Sequence, residues 1–462
     1  MGLILKILSK HKEELFDEKF LSGALALALL LSTAACGNDA ASDPGSSGEP
    51  SQASSQETSE PKEVVEITYP TYRVGTNVLA ETEAYMIDSF NEEFDGKYKL
   101  VVEELPSDVS YQEKMAVLAT TNDLPDLVEG KGPVMNLAIK NGQAQDLTSY
   151  IEADPDYKAE VGEAAFASNT IDGKIYGVPD LNQCFGYFYN TEMFEQAGIT
   201  PAETWDEWMS NLEALKGIGV TPLTFFTGEN SWTTQNVLVS IVGTQNEESN
   251  ALMNSDDKIK DWNTPEIKEA LEMVKIMLRD YSSSDAIGGV YANVANYFLQ
   301  EKAAIMPNGA WMIPDFSDTE KAGEGFADKV GVAMYPGSGM VANYDYGFMM
   351  CTDDPAKQEG VWEAIKWFTN AEAQRIKLEM GGNIPVGPKV ELTEEYREEN
   401  PLTAQIVDLM GEAEYTYKTM NKLAYENLTY DGFSSLYPAL VYDQITVDEM
   451  IQQMNDISAK NE

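Results

Sequence analysis

From Val64 onward β-rich and helical segments alternate, which is the order of a parallel sheet with crossover helices. Residues 64–69 are β-rich; Ala80, Ala84, Ile87, Phe90 and Phe94 then recur near helical spacing. Residues 98–103 read as a strand, 109–119 as a helix, and 126–128 as a short strand after Pro125. Later helices carry start signals. Thr204 with Glu207 forms a capping box ahead of Trp205, Trp208, Met209, Leu212 and Leu215, and Gly217 stops that helix. Asp354 followed by Pro355 opens another, with Val361, Ala364, Ile365 and Phe368 on one face. The chain shows no internal repeat.

Residues 1–35 read differently. Lys19 precedes an apolar stretch, 20–31, and the small residues Ser32, Thr33, Ala34 and Ala35 lead to Cys36 and Gly37. A Cys in that place reads as the lipid-accepting residue of a bacterial lipoprotein signal. The stretch falls short of the roughly 20 residues a membrane span needs, so lipid alone would anchor the exported protein. Thr33 stands where a larger aliphatic is commoner, and Glu13, Glu14, Asp17 and Glu18 are unusual in a leader, so a start nearer Lys19 is expected. Residues 36–63 then form the lipidated Cys and a tether: 37–61 hold no large aliphatic or aromatic side chain, and nothing there repays the entropy of ordering. The expected location is the outer face of the bacterial cytoplasmic membrane.

Composition excludes several chemistries. The formal charge of −46 argues against nucleic acid and against binding to anionic lipid, since both need basic patches, and it suits a soluble monomer. The only His, His11, lies in the leader, so Ser-His-Asp and Cys-His systems and most zinc sites are removed. Besides Cys36 the chain has Cys184 and Cys351. No CxxC spacing occurs, and two buried free thiols are expected rather than a disulfide. No metal site and no cofactor is indicated; a calcium loop of the D-x-D-x-D-G kind is missing. Roughly 400 residues follow the tether, enough for two cores.

A set of motifs in order carries a resemblance. Leu124-Pro125-Asp126-Leu127, Asp172-Gly173-Lys174-Ile175-Tyr176-Gly177-Val178-Pro179, Tyr189-Asn190, Met193-Phe194, Ala197-Gly198-Ile199 and Thr204-Trp205 come first. Phe298-Leu299-Gln300-Glu301-Lys302-Ala303-Ala304-Ile305-Met306, Asn308-Gly309-Ala310-Trp311 and Gly381-Gly382-Asn383-Ile384-Pro385 follow. Together they resemble the family 1 extracellular solute-binding proteins, the sugar-capturing lipoproteins of ABC importers. The resemblance implies an α/β, two-lobed periplasmic-binding-protein-like fold with three hinge crossovers and the ligand cleft between lobes. Crossovers are placed near 178–182, 336–347 and 384–388. Lobe one is then 64–178 with 346–383, and lobe two 179–345 with 384–462. The implied partners are a sugar and the permease subunits of the importer, which recognise the closed form.

A sugar presents apolar ring faces bordered by hydroxyls, so its cleft wants aromatic platforms beside short polar groups. Trp311, after Asn308 and Gly309, matches the family's stacking tryptophan; a core Trp is the alternative. Glu229 and Trp232 sit in a polar loop where family members place an acidic and an aromatic contact. Asp180, Asn182 and Gln183 follow the first crossover, though capping explains them equally well. Tyr72 and Arg73 end the first strand and Glu129 the third, and ligands bind outside such carboxyl ends. Tyr344 and Asp345 at the second crossover, Asn383 at the third, and Tyr430 with Asp431 complete the set, each with a solvated-surface alternative. Trp205 and Trp208 are assigned to packing, and Trp362 and Trp367 to core or interlobe surface. Two other functions stay open: a receptor for a polyamine or other cation, using Glu129, Asp180, Glu229, Asp345 and Asp431, and a surface glycosidase, which needs only two carboxylates.

Overall fold

In the computed structural model, which describes residues 64–460, the strand β1 (Val65–Thr71) lies parallel to β2 (Tyr98–Glu104), paired from Val65 with Tyr98 to Thr71 with Glu104. The readings made on Cys36, the leader and the tether lie outside the described residues. The helix Ala80–Glu93 supplies the crossover between these strands. It buries Glu83, Met86, Ile87 and Phe90 and leaves Ala84 exposed, so its inward face differs from the one expected. The reason is polar: the Tyr69 hydroxyl donates to Glu83 Oε1 at 2.5 Å, drawing the acid inside. Burial in turn raises the Glu83 pKa.

The third strand, β3 (Leu127–Glu129), is tied to β1 by side chains. Asp126 Oδ2 accepts from the Thr68 backbone N–H and hydroxyl at 2.9 and 2.7 Å, and the Asp126 N–H donates back to Thr68 Oγ1 at 2.9 Å. A hairpin of β4 (Thr170–Ile171) and β5 (Lys174–Ile175) turns on Asp172 and Gly173 with φ of 52° and 76°, the left-handed pair an Asp-Gly turn supplies.

The chain continues through β6 (Asn182–Phe185), β7 (Tyr187–Asn190), β8 (Thr221–Leu223), β9 (Ala303–Pro307), β10 (Val330–Ala333) and β11 (Gly339–Tyr344). Then β12 (Phe348–Met350) returns to pair antiparallel with β3, and β13 (Tyr415–Tyr417) joins β11. One sheet has the order β10-β7-β9-β8, a second β13-β11-β6. Ile67, Tyr69, Phe90, Leu100, Val361, Ile365 and Phe368 meet in one apolar core; Tyr187, Trp208, Leu223, Val237, Val274, Tyr335 and Tyr437 meet in another. Both expected helix starts are present. Thr204 and Glu207 complete a reciprocal capping box, and Asp354 caps the helix Pro355–Thr369.

Between the cores the chain passes three times, and the passes bond to one another. The Val178 N–H donates to the Phe348 carbonyl at 3.0 Å and the Phe348 N–H returns the bond at 2.9 Å. The Asp345 N–H donates to Leu181 at 3.0 Å, and the Asn182 N–H to Ile384 at 3.4 Å. Gly347 is needed there: its φ is 67°, and a Cβ would collide with the Val178 carbonyl. Past the third pass, Val386 still packs into the core of Ile67 and Tyr69. Cys184 and Cys351 are both buried and unpaired, and burial pushes the Cys184 thiol up to about 12.

Candidate ligand cleft

Beside the three passes lies a cavity of about 610 Å³, walled on one side by residues between Tyr72 and Lys131 and on the other by residues between Leu181 and Tyr430. That volume falls within the ordinary range for small-molecule sites.

One wall is aromatic. Trp232 opens the helix Trp232–Gly243, with its ring 6.1 Å from Trp311 and 5.7 Å from Tyr291. Phe185 stands edge-on beneath Trp311, centroids 5.3 Å apart at 79°. The indole of Trp311 also lies over Gly309, where any Cβ would strike the ring. The glycine therefore makes room for the tryptophan itself. Asn308 is fully buried: its Nδ2 donates to the Tyr291 hydroxyl at 3.1 Å, and its Oδ1 accepts from the Gly309 N–H at 2.9 Å. It supports the platform from behind.

The loop before Trp232 is strained. Glu229 and Ser231 both have φ of 47°, uncommon for residues with a Cβ. Three contacts of Gln235 Nε2 hold that loop, to the Asn230 carbonyl at 2.5 Å, Ser231 Oγ at 3.0 Å and the Thr429 carbonyl at 2.7 Å. Glu229 is exposed, faces the cavity, and accepts from the Tyr291 N–H at 3.1 Å.

The opposite wall begins where β1 and β3 end, as open α/β sheets predict. Tyr72 and Arg73 follow β1, Asp108 starts the helix Asp108–Thr121, and Lys131 follows β3. Arg73 Nη1 donates to Asp180 at 2.5 Å and Nη2 to Glu129 at 2.6 Å. Lys377 Nζ donates to the same Asp180, and Lys131 Nζ reaches Glu129 at 3.0 Å and Asp345 at 2.8 Å. Burial pushes the Asp180 carboxyl up, but Arg73 and Lys377 outweigh it and hold the pKa far below the carboxylate range. Burial likewise raises Asp345, and Lys131, Lys422 and the Tyr346 N–H together outweigh it and lower its pKa. The net is three cations against three carboxylates, packed around the crossovers.

Of the residues singled out in the sequence, Trp311, Trp232, Glu229, Gln183, Tyr72, Arg73 and Tyr430 line the cavity together. Asp180, Glu129 and Asp345 sit behind its wall in the ion-pair cluster. Asn308 is buried behind Trp311; Asn383 is buried with its N–H bonded to the Lys377 carbonyl at 3.2 Å. Asn182 and Tyr344 face each other across the β6–β11 ladder, and Asp431 is exposed. Trp208 is buried beside Trp205, and Trp362 packs against Tyr150 and Tyr157.

Several lining residues were not anticipated: Phe185, Tyr291, Lys131, Asp108 and Asn421. Phe185 had a usable signal, since a strand's period of two places it on the face of Gln183. Tyr291 starts a helix after Gly288-Gly289, and nothing local aims it at Trp232.

Comparison with known proteins agrees with this geometry. Residues 85–404 match the family model described as bacterial extracellular solute-binding protein. The chain is 26% identical over 228 residues to the multiple sugar-binding protein of Streptococcus mutans, covering 47% of this chain and 53% of that protein, so the match spans about half of that relative. It is 23% identical over 308 residues to the arabinooligosaccharide-binding protein of Bacillus subtilis, covering 64% of this chain and 63% of that one. Its fold resembles that of a Streptococcus pneumoniae solute-binding protein in complex with the blood group A-trisaccharide, with TM-score 0.73, 22% identity, and coverage of 86% of this chain and 99% of that one. It also resembles a chitin oligosaccharide binding protein, with TM-score 0.75, 21% identity, and coverage of 86% and 98%. Both establish the two-lobed α/β architecture.

Proposed function

The chain belongs to the bacterial extracellular solute-binding proteins, and from that premise we propose that it captures a mono- or oligosaccharide between its lobes and delivers it, chemically unchanged, to an ABC permease. The observation that carries this reading is the cavity wall: three aromatic rings of Trp232, Tyr291 and Trp311 beside a run of carboxamides that includes Asn77, Gln183, Asn236, Asn296 and Asn421. Apolar sugar faces suit the rings, and hydroxyls suit amides that both donate and accept. Two sugar-binding relatives support the same class. Most cationic and anionic groups around the cavity neutralise each other, including Lys321 with Asp315 at 2.6 Å, which favours an uncharged cargo over a polyamine.

The division into lobes, 64–178 with 346–383 and 179–345 with 384–462, is part of the proposal; the two cores and the bonded passes between them support it, except that Val386 packs into the core of Ile67 and Tyr69, which moves the third boundary past 386. So is the anchor: lipid on Cys36 and the tether of 36–63 would hold a monomer at the outer face of the cytoplasmic membrane. Closure then requires a ligand that touches both lobes, because only differential affinity shifts the equilibrium.

A melting-temperature screen tests the reading, using raffinose, maltose, xylo-, chito- and arabino-oligosaccharides, and spermidine. A true ligand at 100 times its Kd adds about 2.7 kcal/mol to the folded state. A saccharide that raises the melting temperature and is recovered intact supports the proposal. A shift with spermidine alone, or a hydrolysed saccharide, overturns it.

A further inference from the structure

Two carboxamides on the cavity, one from each wall, have their oxygens turned into the protein. Gln183 on β6 and Asn343 on β11 are direct partners in the antiparallel ladder. Asn343 is fixed by backbone groups of opposite sense: its Oδ1 accepts from the Thr419 N–H at 2.7 Å, and its Nδ2 donates to the Tyr344 carbonyl at 3.1 Å. The remaining hydrogen of that Nδ2 goes to Gln183 Oε1, at 3.1 Å. An amide nitrogen has no lone pair to accept with, so turning Gln183 over would set two donors against each other.

Asn77 repeats the arrangement in the opposite wall. Its Oδ1 accepts from the Leu79 N–H at 2.9 Å, which fixes the sense of the amide in the same way. Its backbone is pinned as well: the N–H donates to the Val74 carbonyl at 3.3 Å, and the carbonyl accepts from the Ala80 N–H at 3.0 Å. Gln183 and Asn77 are half-buried and both line the cavity. Gln183 Nε2 and Asn77 Nδ2 donate to nothing among the described residues, and neither atom is shut off from solvent. Each amide therefore offers the cavity its hydrogens.

We propose that Gln183 and Asn77 are specificity-determining donors that read hydroxyl oxygens of the saccharide as acceptors, one from each side of the cleft, and that Asn343 is the positioning residue that sets the sense of Gln183. This rests on the saccharide reading above. A hydroxyl can donate or accept, so its own chemistry leaves the direction of the bond open; the bonds inside the protein choose it. An ammonium group carries donors only and would meet donors at both places.

The experiment uses single deoxy and deoxyfluoro derivatives of whichever of raffinose, maltose or the xylo-, chito- and arabino-oligosaccharides binds in the melting screen, titrated calorimetrically into the full mature protein. Carbon-bound fluorine accepts weakly and cannot donate. At the two hydroxyls that face the pair, the fluoro derivative should bind the wild type about threefold more tightly than the deoxy derivative. Gln183→Glu and Asn77→Asp are nearly isosteric and keep the oxygen that accepts inside the protein, but a carboxylate oxygen replaces the NH2 group. Each should reverse the order at its own hydroxyl, with fluorine now binding more weakly than hydrogen, and leave the other hydroxyl's order as it was. Asn343 does not line the cavity, yet Asn343→Asp should abolish the advantage of fluorine at the Gln183 hydroxyl alone, because Gln183 can then turn its nitrogen inward. A structural role for Asn343 would not move one ratio and spare the other. Fluorine no better than hydrogen at every hydroxyl of the wild type, a comparison that needs no variant to fold, overturns the assignment while leaving saccharide capture standing. So does an order unchanged in Gln183→Glu or in Asn77→Asp. Failure of every saccharide to bind would instead remove the reading on which it rests.

Discussion

Substituting Asp180 with Asn tests whether the ion pairs at the crossovers hold the lobes in register. The side chain is 0% exposed and accepts from Arg73 Nη1 at 2.5 Å, Arg73 Nη2 at 3.2 Å and Lys377 Nζ. Asn keeps the shape and one acceptor oxygen but takes from the buried Lys377 its ion pair with Asp180 and leaves Arg73 its pair with Glu129. Breaking a buried pair from one side costs about 3–5 kcal/mol, and that is the loss expected at pH 7. The sign with pH follows from the depressed carboxyl of Asp180: its stabilisation is present above the unfolded pKa of about 3.9 and is lost as pH falls toward the folded value. At pH 3 the gap between wild type and variant should therefore narrow by about 1.2 kcal/mol, since each pH unit below 3.9 removes about 1.36. Urea unfolding, followed by both tryptophan fluorescence and far-ultraviolet circular dichroism, reads this as a shift of midpoint at constant slope. A loss under about 1 kcal/mol at pH 7, or an equal gap at both pH values, would refute the reasoning.

Two further outcomes concern the aromatic wall. Trp311→Ala should abolish the ligand-induced melting shift and lower ligand-free stability by about 2 kcal/mol, less than the roughly 3–5 expected of a fully buried Trp, because Trp311 is only part-buried against Phe185 and Trp232; retention of the shift would remove it from the site. Gly309→Ala should displace the Trp311 ring without touching ligand, so calorimetry should show weaker binding together with a changed tryptophan emission; unaltered emission would show that the ring does not depend on the glycine.

How far the sequence disclosed this arrangement depended on the range of the interactions involved. The helices from Trp205 and Pro355 were legible because caps and apolar spacing act within one turn. Trp311, Trp232 and Gln183 came from ordered motifs. What escaped was non-local. Ala84 seemed inward by spacing, yet a hydroxyl from Tyr69 turned Glu83 in instead. Glu129, Asp180 and Asp345 looked like free cleft acids because their cations, Arg73, Lys377 and Lys131, arrive from separate parts of the chain. Asp108 gave the converse: an unremarked residue at a helix start that ends up facing the cavity.

The crossover cluster also bears on how capture and closure share parts. Arg73 and Lys131 line the cavity, and the same two side chains grip Asp180 and Asp345 on the chain passes that join the lobes. With 77 acids against 31 basic residues in the whole chain, placing three cations in one buried cluster is a selective use of positive charge. Matched against three carboxylates, they leave little net field to draw a charged solute into the cleft, in keeping with recognition by rings and amides. A ligand that moves Arg73 or Lys131 also disturbs a carboxylate on a crossover, because Arg73 is bonded directly to Asp180 and Lys131 to Asp345. Contact with Arg73 or Lys131 inside the cavity would thus reach Asp180 and Asp345 at the crossovers directly. Substitutions that loosen the cluster should then change closure and affinity together, whereas loss of Trp311 should weaken affinity while leaving the crossover ion pairs intact.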